Sequence, residues 1–257
     1  MNDFSISFEY NMQNNTENDI LQLPEKIAIE KEIQIVICID EFQQISDFED
    51  SKTFQKKLRS VWQLQQHVSY CLFGSKKHLM NELFEKKNLP FYKFGDAIYL
   101  TKIETKYWIE YICKRFENTG KHISPELAEE ICRLVDNHSS YVQQLSWLLW
   151  IRTINTATTE QLTYALEDLL DQNNILFQSE TENLSAYQMN FLKAIVDGIH
   201  TKFSSKEVIS KYNLGTSANI VRLKNALLQK ELIETNGKEI VLADPVFGVW
   251  FKKEMLY

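Results

Sequence analysis

Glycine is scarce in this sequence: there are seven in 257 residues, under half the usual share of ~7%. No two of them (Gly74, Gly95, Gly120, Gly198, Gly215, Gly237, Gly248) lie closer than eleven positions. A phosphate-cradling loop needs two glycines about five apart, and a dinucleotide-binding fingerprint needs three within about six, so neither motif is present. HExxH and CxxC motifs are absent, and no histidine has a second one at metal-ligand spacing, which excludes the usual zinc sites. Long apolar runs are missing too. The longest, around Leu145–Ile151, is far too short to span a membrane. The opening MNDFSISFEYN carries neither a basic residue nor an apolar core, so it does not read as a secretory leader. The four cysteines, Cys38, Cys71, Cys113 and Cys132, sit among apolar neighbours. That predicts buried free thiols in a reducing, cytoplasmic compartment.

What is present describes a globular protein, with 44% apolar and 25% charged residues, long enough for two domains or a domain plus a module. The net charge of −7 conceals an asymmetry. Residues 1–184 carry 18 basic and 28 acidic side chains, and residues 185–257 carry 10 and 7. The front of the chain is expected to repel nucleic acid, while the tail would tolerate it.

The patterning predicts an α/β arrangement first. A short alternating strand at Ile6–Tyr10 precedes a helix over Asp19–Glu32, with Pro24 near its first turn. Ile33–Ile39 (IQIVICI) has the continuous β-branched character of a strand buried on both faces. An amphipathic helix follows at Ser51–Gln66, a second buried strand at Val68–Phe73, a helix at Lys76–Phe84 and a short strand at Ala97–Leu100. Strands alternating with helices imply a parallel sheet. From Glu104 the pattern is helical throughout: Glu104–Asn118, Ser124–Asn137, Ser139–Asn155 and Thr159–Phe177. Ser124-Pro125 reads as a cap with proline at the first helical position. The predicted domains are 1–103, 104–183 and 184–257.

Ile35–Ile39 runs directly into Asp40-Glu41. An apolar strand ending in two carboxylates is the Walker B pattern, in which the first carboxylate (Asp40) holds Mg²⁺ through water and the second (Glu41) orients and deprotonates an attacking water. The same residues also describe an ordinary parallel strand entering an acidic loop. The second strand ends at Gly74-Ser75, where a polar residue can sense a γ-phosphate, or where Gly-Ser can simply turn and cap the next helix.

Val36–Ile45 (VICIDEFQQI), Phe54–Gln63 (FQKKLRSVWQ), Ser69–Met80 (SYCLFGSKKHLM), Pro90–Gly95 (PFYKFG), His138–Leu145 (HSSYVQQL), Tyr212–Val221 (YNLGTSANIV) and Asp244–Phe247 (DPVF) follow one another in an order that resembles the bacterial and archaeal ATP-binding proteins of the STAND branch of the AAA+ superfamily. The resemblance runs from about residue 19 to the C-terminus. It implies a partial P-loop NTPase parallel sheet, an all-α lid bundle and a C-terminal winged helix. It also implies ATP and Mg²⁺ as cofactors of the intact family member. On this resemblance Asp40 is the metal residue, Glu41 the catalytic one, and Ser75, His138 and Tyr141 contact nucleotide. The intact protein would be a switch in which Mg-ATP binding rearranges the lid and winged helix and hydrolysis resets them. The chain departs from the family by having no P-loop ahead of Asp40, so it reads as an N-terminally truncated ATPase that is expected neither to bind nor to hydrolyse ATP usefully by itself. It also has Ser139 where the family's lid block has proline. Loss of the P-loop strand is expected to bare an apolar sheet edge and favour self-association.

The tail reads as a winged helix in its own right. Its helices fall at Ser185–Val196, from a Ser204–Glu207 capping box to Tyr212, and at Ser217–Lys230. A hairpin turns at Asn236-Gly237 between Leu232–Thr235 and Glu239–Leu242, and a closing helix spans Pro245–Met255. On the third helix Ile220, Leu223 and Leu227 face the core. Asn219, Arg222, Asn225 and Gln229 form a polar stripe of the side chains that read base edges, with Lys224, Lys230 and Lys238 able to meet phosphates. The same face equally suits solvent or a protein partner, and Glu234 and Glu239 beside the wing would repel DNA. The alternative function is therefore a non-enzymatic DNA- or protein-interaction module on an inactive ATPase scaffold. The stripe Trp147, Trp150 and Ile151 reads as bundle core.

Overall fold

A computed structural model describes residues 17–255 and divides into two units, one ending at Tyr99 and one beginning at Leu100. The expected strand Ile6–Tyr10 lies outside the described residues.

The first unit runs α1 (Glu17–Lys31), β1 (Ile35–Ile39), a 3-10 turn (Phe42–Asp47), α2 (Ser51–Trp62), β2 (Val68–Leu72) and α3 (Lys77–Glu85). The strands pair in parallel, from Ile35 with Val68 to Ile39 with Leu72, joined by α2 as a parallel pair requires. α1 already includes Glu17, so Pro24 falls inside the helix rather than near its first turn. Proline there removes one intrahelical donor, but tertiary bonds hold this stretch. The Glu25 carboxylate accepts from the backbone N–H of Gln66 at 3.1 Å and of His67 at 3.0 Å, and meets His67 Nδ1 at 2.9 Å. The bond to the His67 ring is the largest cause holding the Glu25 carboxyl below its ordinary pKa.

Phe42, Leu58, Val61, Trp62, Leu83 and Phe91 form the core of this unit, with Ile39, Tyr70 and Leu72 packed against it. Trp62 stacks on Tyr70 with ring centres 4.1 Å apart. This cluster takes up one face of the sheet. Alternation puts Val36, Cys38, Ser69 and Cys71 on the other, and all four are exposed, Val36 by 67%. Two expectations are corrected here. β1 is not buried on both faces, and Cys38 and Cys71 are not buried thiols, because no second helical layer covers them among the described residues. The expected strand Ala97–Leu100 does not form a strand, and Ile98 and Leu100 are exposed. A strand exists only by pairing, and among the described residues β1 and β2 pair with each other alone.

The second unit contains α4 (Thr105–Glu117), α5 (Pro125–Leu134), α6 (Ser139–Arg152), α7 (Thr159–Glu182), α8 (Ala186–Val196), α9 (Lys206–Tyr212), α10 (Ser217–Gln229), β3 (Ile233–Asn236), β4 (Glu239–Leu242) and α11 (Pro245–Met255). Local chemistry sets its helix starts. Ser124 Oγ accepts from Leu127 N at 3.2 Å, and full capping boxes open α7 at Thr158/Gln161 and α8 at Ser185/Gln188. α9 is capped by Ser205 through Val208 N at 3.2 Å, not by the Ser204–Glu207 box expected. The wing pairs Asn236 with Glu239, so its loop is Gly237-Lys238. Gly237 takes φ +62 there, a positive value that glycine adopts without steric cost.

One buried core runs from Trp108 on α4 to Phe251 on α11. It crosses residue 184, because α7 extends beyond its expected end at Phe177 and places that ring against Phe247 (5.4 Å) and Trp250 (5.6 Å). Trp250 Nε1 donates to Asn174 Oδ1 at 2.8 Å. The expected core stripe Trp147, Trp150 and Ile151 is corrected in part: Trp150 packs against the core, but Trp147 is 55% and Ile151 48% exposed, and Leu145, Leu148 and Leu149 supply the buried face of α6.

Candidate functional site

Adjacent parallel strands end side by side, so the residues after β1 and β2 meet. The ladder continues past the strands through Phe73 N to Ile39 O (3.1 Å) and Phe42 N to Phe73 O (3.0 Å). This brings Asp40-Glu41 beside Gly74-Ser75. Glu41 adopts the left-handed conformation at φ +50, uncommon for a non-glycine residue and found where surrounding bonds hold it. Its carboxylate accepts from Ser75 Oγ at 3.3 Å and from Gln43 Nε2. Asp40 is exposed, and its Oδ1 accepts from Glu41 N at 2.8 Å. The Gly-Ser capping alternative is not seen: α3 is preceded by Lys76 and has no side-chain cap.

Gln43 carries no sequence signal. It is 1% exposed, and its Oε1 is buried without a partner. It lies under Gly74, where an added Cβ would come 1.8 Å from Gln43 Oε1. Only glycine at 74 lets the end of β2 approach this closely. Gln43 Nε2 and Ser75 Oγ thus both donate to Glu41 Oε2. Arg59 instead holds the carbonyls of Pro90 and of Tyr92 (3.0 Å) and lies over Phe94.

His138 and Tyr141 belong to the second unit. Their rings lie 4.8 Å apart at the start of α6. Tyr141 OH donates to Asp244 Oδ2, across 103 positions of chain. Asp244 Oδ1 caps α11 by accepting from Val246 N (2.7 Å) and Phe247 N (3.0 Å). Asp-Pro before an amphipathic helix is the signal that could have identified Asp244 as a cap. Burial first, then the bond to Asp244, raise the Tyr141 phenol above its ordinary pKa. Burial and Asp244 raise Glu180 beside it.

Tyr141→Phe is expected to cost about 1.5–3 kcal/mol at neutral pH, one hydrogen bond to a charged acceptor. An unfolded tyrosine ionises near pH ~10. Because the folded value is higher, Tyr141 stabilises fully below that pH and loses this contribution as pH rises above it. Urea midpoints at pH 8 and pH 11 should show the gap between wild type and variant narrowing at pH 11, and a constant gap would refute the role.

On the winged helix, Ile220, Leu223 and Leu227 are buried as expected. Arg222, Asn225 and Gln229 are exposed on α10, Lys238 is exposed on the wing, and Lys224 is half-buried. Asn219 is committed elsewhere: its Nδ2 donates to Leu214 O at 3.0 Å, closing the turn before α10.

Residues 175–253 match the family described as "Probable winged helix domain". None of the curated proteins compared matches the chain. Among solved structures the fold is similar to the Walker-type ATPase PABY2304 of Pyrococcus abyssi, at 16% identity and a TM-score of 0.72, over 96% of this chain and 72% of that one. Weaker similarities are to the ORC2 protein of Aeropyrum pernix (13%, TM-score 0.47, 97% and 73% covered) and to the Holliday junction branch migration motor RuvB of Thermotoga maritima (13%, TM-score 0.44, 89% and 72% covered). The fold is a P-loop NTPase-like α/β unit with a small parallel sheet, followed by helices and a C-terminal winged helix. No helix among the described residues is long and apolar enough to cross a membrane.

Proposed function

We propose that this chain is the Walker B and sensor portion of a STAND-branch AAA+ nucleotide switch, cytoplasmic, with domains over 1–103, 104–183 and 184–257. The observation that supports it best is the meeting of Glu41 and Ser75 at the ends of paired parallel strands. Asp40 keeps Oδ2 for a water of a hydrated Mg²⁺, an ion that commonly binds through one or two carboxylates and retains several waters. Glu41, held by Gln43 and Ser75, has the placement of a water-orienting base, with Ser75 as phosphate sensor. In this reading His138 and Tyr141, within the second unit, are the lid's own nucleotide contacts.

The residues fit the metal better than the phosphates, because these 257 residues contain no GxxxxGK[ST] loop. Such a loop supplies around four charge-assisted bonds at ~1.5 kcal/mol each, roughly 6 kcal/mol or about four decades of affinity. Asp40 and Glu41 are anions and cannot replace it. The proposed consequence is a chain that neither binds nor hydrolyses ATP usefully unless a phosphate loop is supplied from outside these residues.

The exposed Arg222, Asn225, Gln229 and Lys238 on a basic tail favour a second reading, a winged-helix module that binds DNA or protein on an inactive scaffold. Calorimetric titration of the full chain with Mg-ATP, and separately with duplex DNA at two salt concentrations, tests both. Absent ATP heat is expected, and submillimolar affinity would overturn the claim of inactivity. DNA affinity that falls steeply with salt supports the second reading, and absent or salt-insensitive affinity removes DNA as the partner.

A further inference from the structure

Cys38 and Cys71 are register partners on adjacent parallel strands. Partners in a parallel ladder project from the same face, and both cysteines are free and exposed. We infer that this pair is a chelating dithiol that binds one thiophilic atom satisfied by two sulfurs, with monovalent copper as the cation class it takes.

The geometry favours a bridging atom over a direct bond. Neighbouring strands lie ~4.8 Å apart, and the two Cα–Cβ vectors run side by side, so the Cβ atoms stay near that spacing. A disulfide needs Cβ atoms roughly 3.5–4.5 Å apart, so closing one here strains the sheet. Metal–sulfur bonds of ~2.3 Å let two sulfurs stand up to about 4.6 Å apart across one ion, matching the strand spacing.

The surroundings set the selectivity. Val36, Ser69 and Phe73 complete the exposed face and offer no third soft ligand. Among the described residues no group of three or more His, Cys, Asp or Glu converges. Zinc, which takes four ligands, and magnesium, which takes oxygens, are poorly served; soft monovalent copper accepts thiolates alone. The other thiols compete badly. Cys113 is half-buried and Cys132 is buried, where burial raises the Cys113 thiol and pushes the Cys132 thiol up to about 11.

Phenylarsine oxide probes the pairing in the reduced full chain. It condenses with two thiols, forming two As–S bonds and releasing its oxygen with both thiol protons as one water. Intact mass should show one equivalent that survives excess monothiol and is removed by a dithiol, and that is absent from Cys38→Ser and from Cys71→Ser. Peptide mapping of the wild-type adduct should join Cys38 to Cys71, a readout that does not depend on either variant folding. Copper(I) competed against bicinchoninate should bind with one equivalent, weakened in either variant by roughly a hundredfold or more, beyond the ~10–100-fold that losing even a supporting residue costs. An adduct retained in either variant, one stripped by monothiol, one mapping to Cys113 or Cys132, or equal copper affinity in wild type and variants overturns the assignment.

Discussion

Phe91→Ala is expected to unfold the N-terminal unit while the C-terminal unit keeps its core. Phe91 is fully buried. Its ring sits 5.4 Å from Phe42, 5.9 Å from Trp62, 5.8 Å from Phe84 and 5.3 Å from Phe94. Truncating such a phenylalanine costs about 3–5 kcal/mol in transfer and cavity terms. That is comparable to the whole stability of a small domain, which buries a lower share of its surface than a large one. The unit has little reserve, since among the described residues its sheet is covered on one face only. The two cores are separate clusters with no shared residue, so the loss is local. Hydrogen exchange should show β1, α2 and β2 unprotected in the variant, with α6, α7 and α11 protected as in wild type. Trp62, the only tryptophan before residue 100, should shift its emission to the red. Retained protection of β1 and β2 would mean that Phe91 fills space without supporting the unit.

The site could be read from the sequence where it depends on strand ends and could not where it depends on contacts between distant segments. An apolar run stopping at Asp40-Glu41 and another stopping at Gly74-Ser75 locate two loops at the same end of a parallel sheet, because parallel strands share their carboxyl end. Gln43 is invisible to that reasoning. Its burial follows from the approach of Gly74, and nothing in FQQI distinguishes Gln43 from the exposed Gln44. The run IQIVICI misled for a related reason. β-branched residues report that a strand forms, while burial of its second face depends on whether another layer exists. Helix starts at Ser124, Thr158 and Ser185 follow from bonds spanning three residues and are local. The Tyr141–Asp244 bond joins residues 103 positions apart, and no pattern in either segment announces the other.

Residues 184–257 produced alone are expected to be compact but poorly packed, whereas residues 159–257 should unfold cooperatively. The charge shift and the capping box at Ser185 both suggest a boundary at 184, yet the winged helix completes its core on α7. Removing Phe177 strips a fully buried side chain, worth about 1.5–3 kcal/mol in transfer alone, and uncovers the rings of Phe247 and Trp250 that it packs against. It also deprives Trp250 Nε1 of Asn174 Oδ1, leaving a donor to find water. Together these losses approach the margin of a domain this small. The match to the winged-helix family begins at residue 175, inside α7, which accords with a functional fold that includes the second half of that helix. Near-UV circular dichroism and urea unfolding of the two fragments give the comparison: a sharp transition and fixed Trp250 signal in the longer, a broad transition and lost signal in the shorter. Equal cooperativity would show that α8–α11 close a core without Phe177, and that the packing on α7 is a docking contact rather than part of the fold.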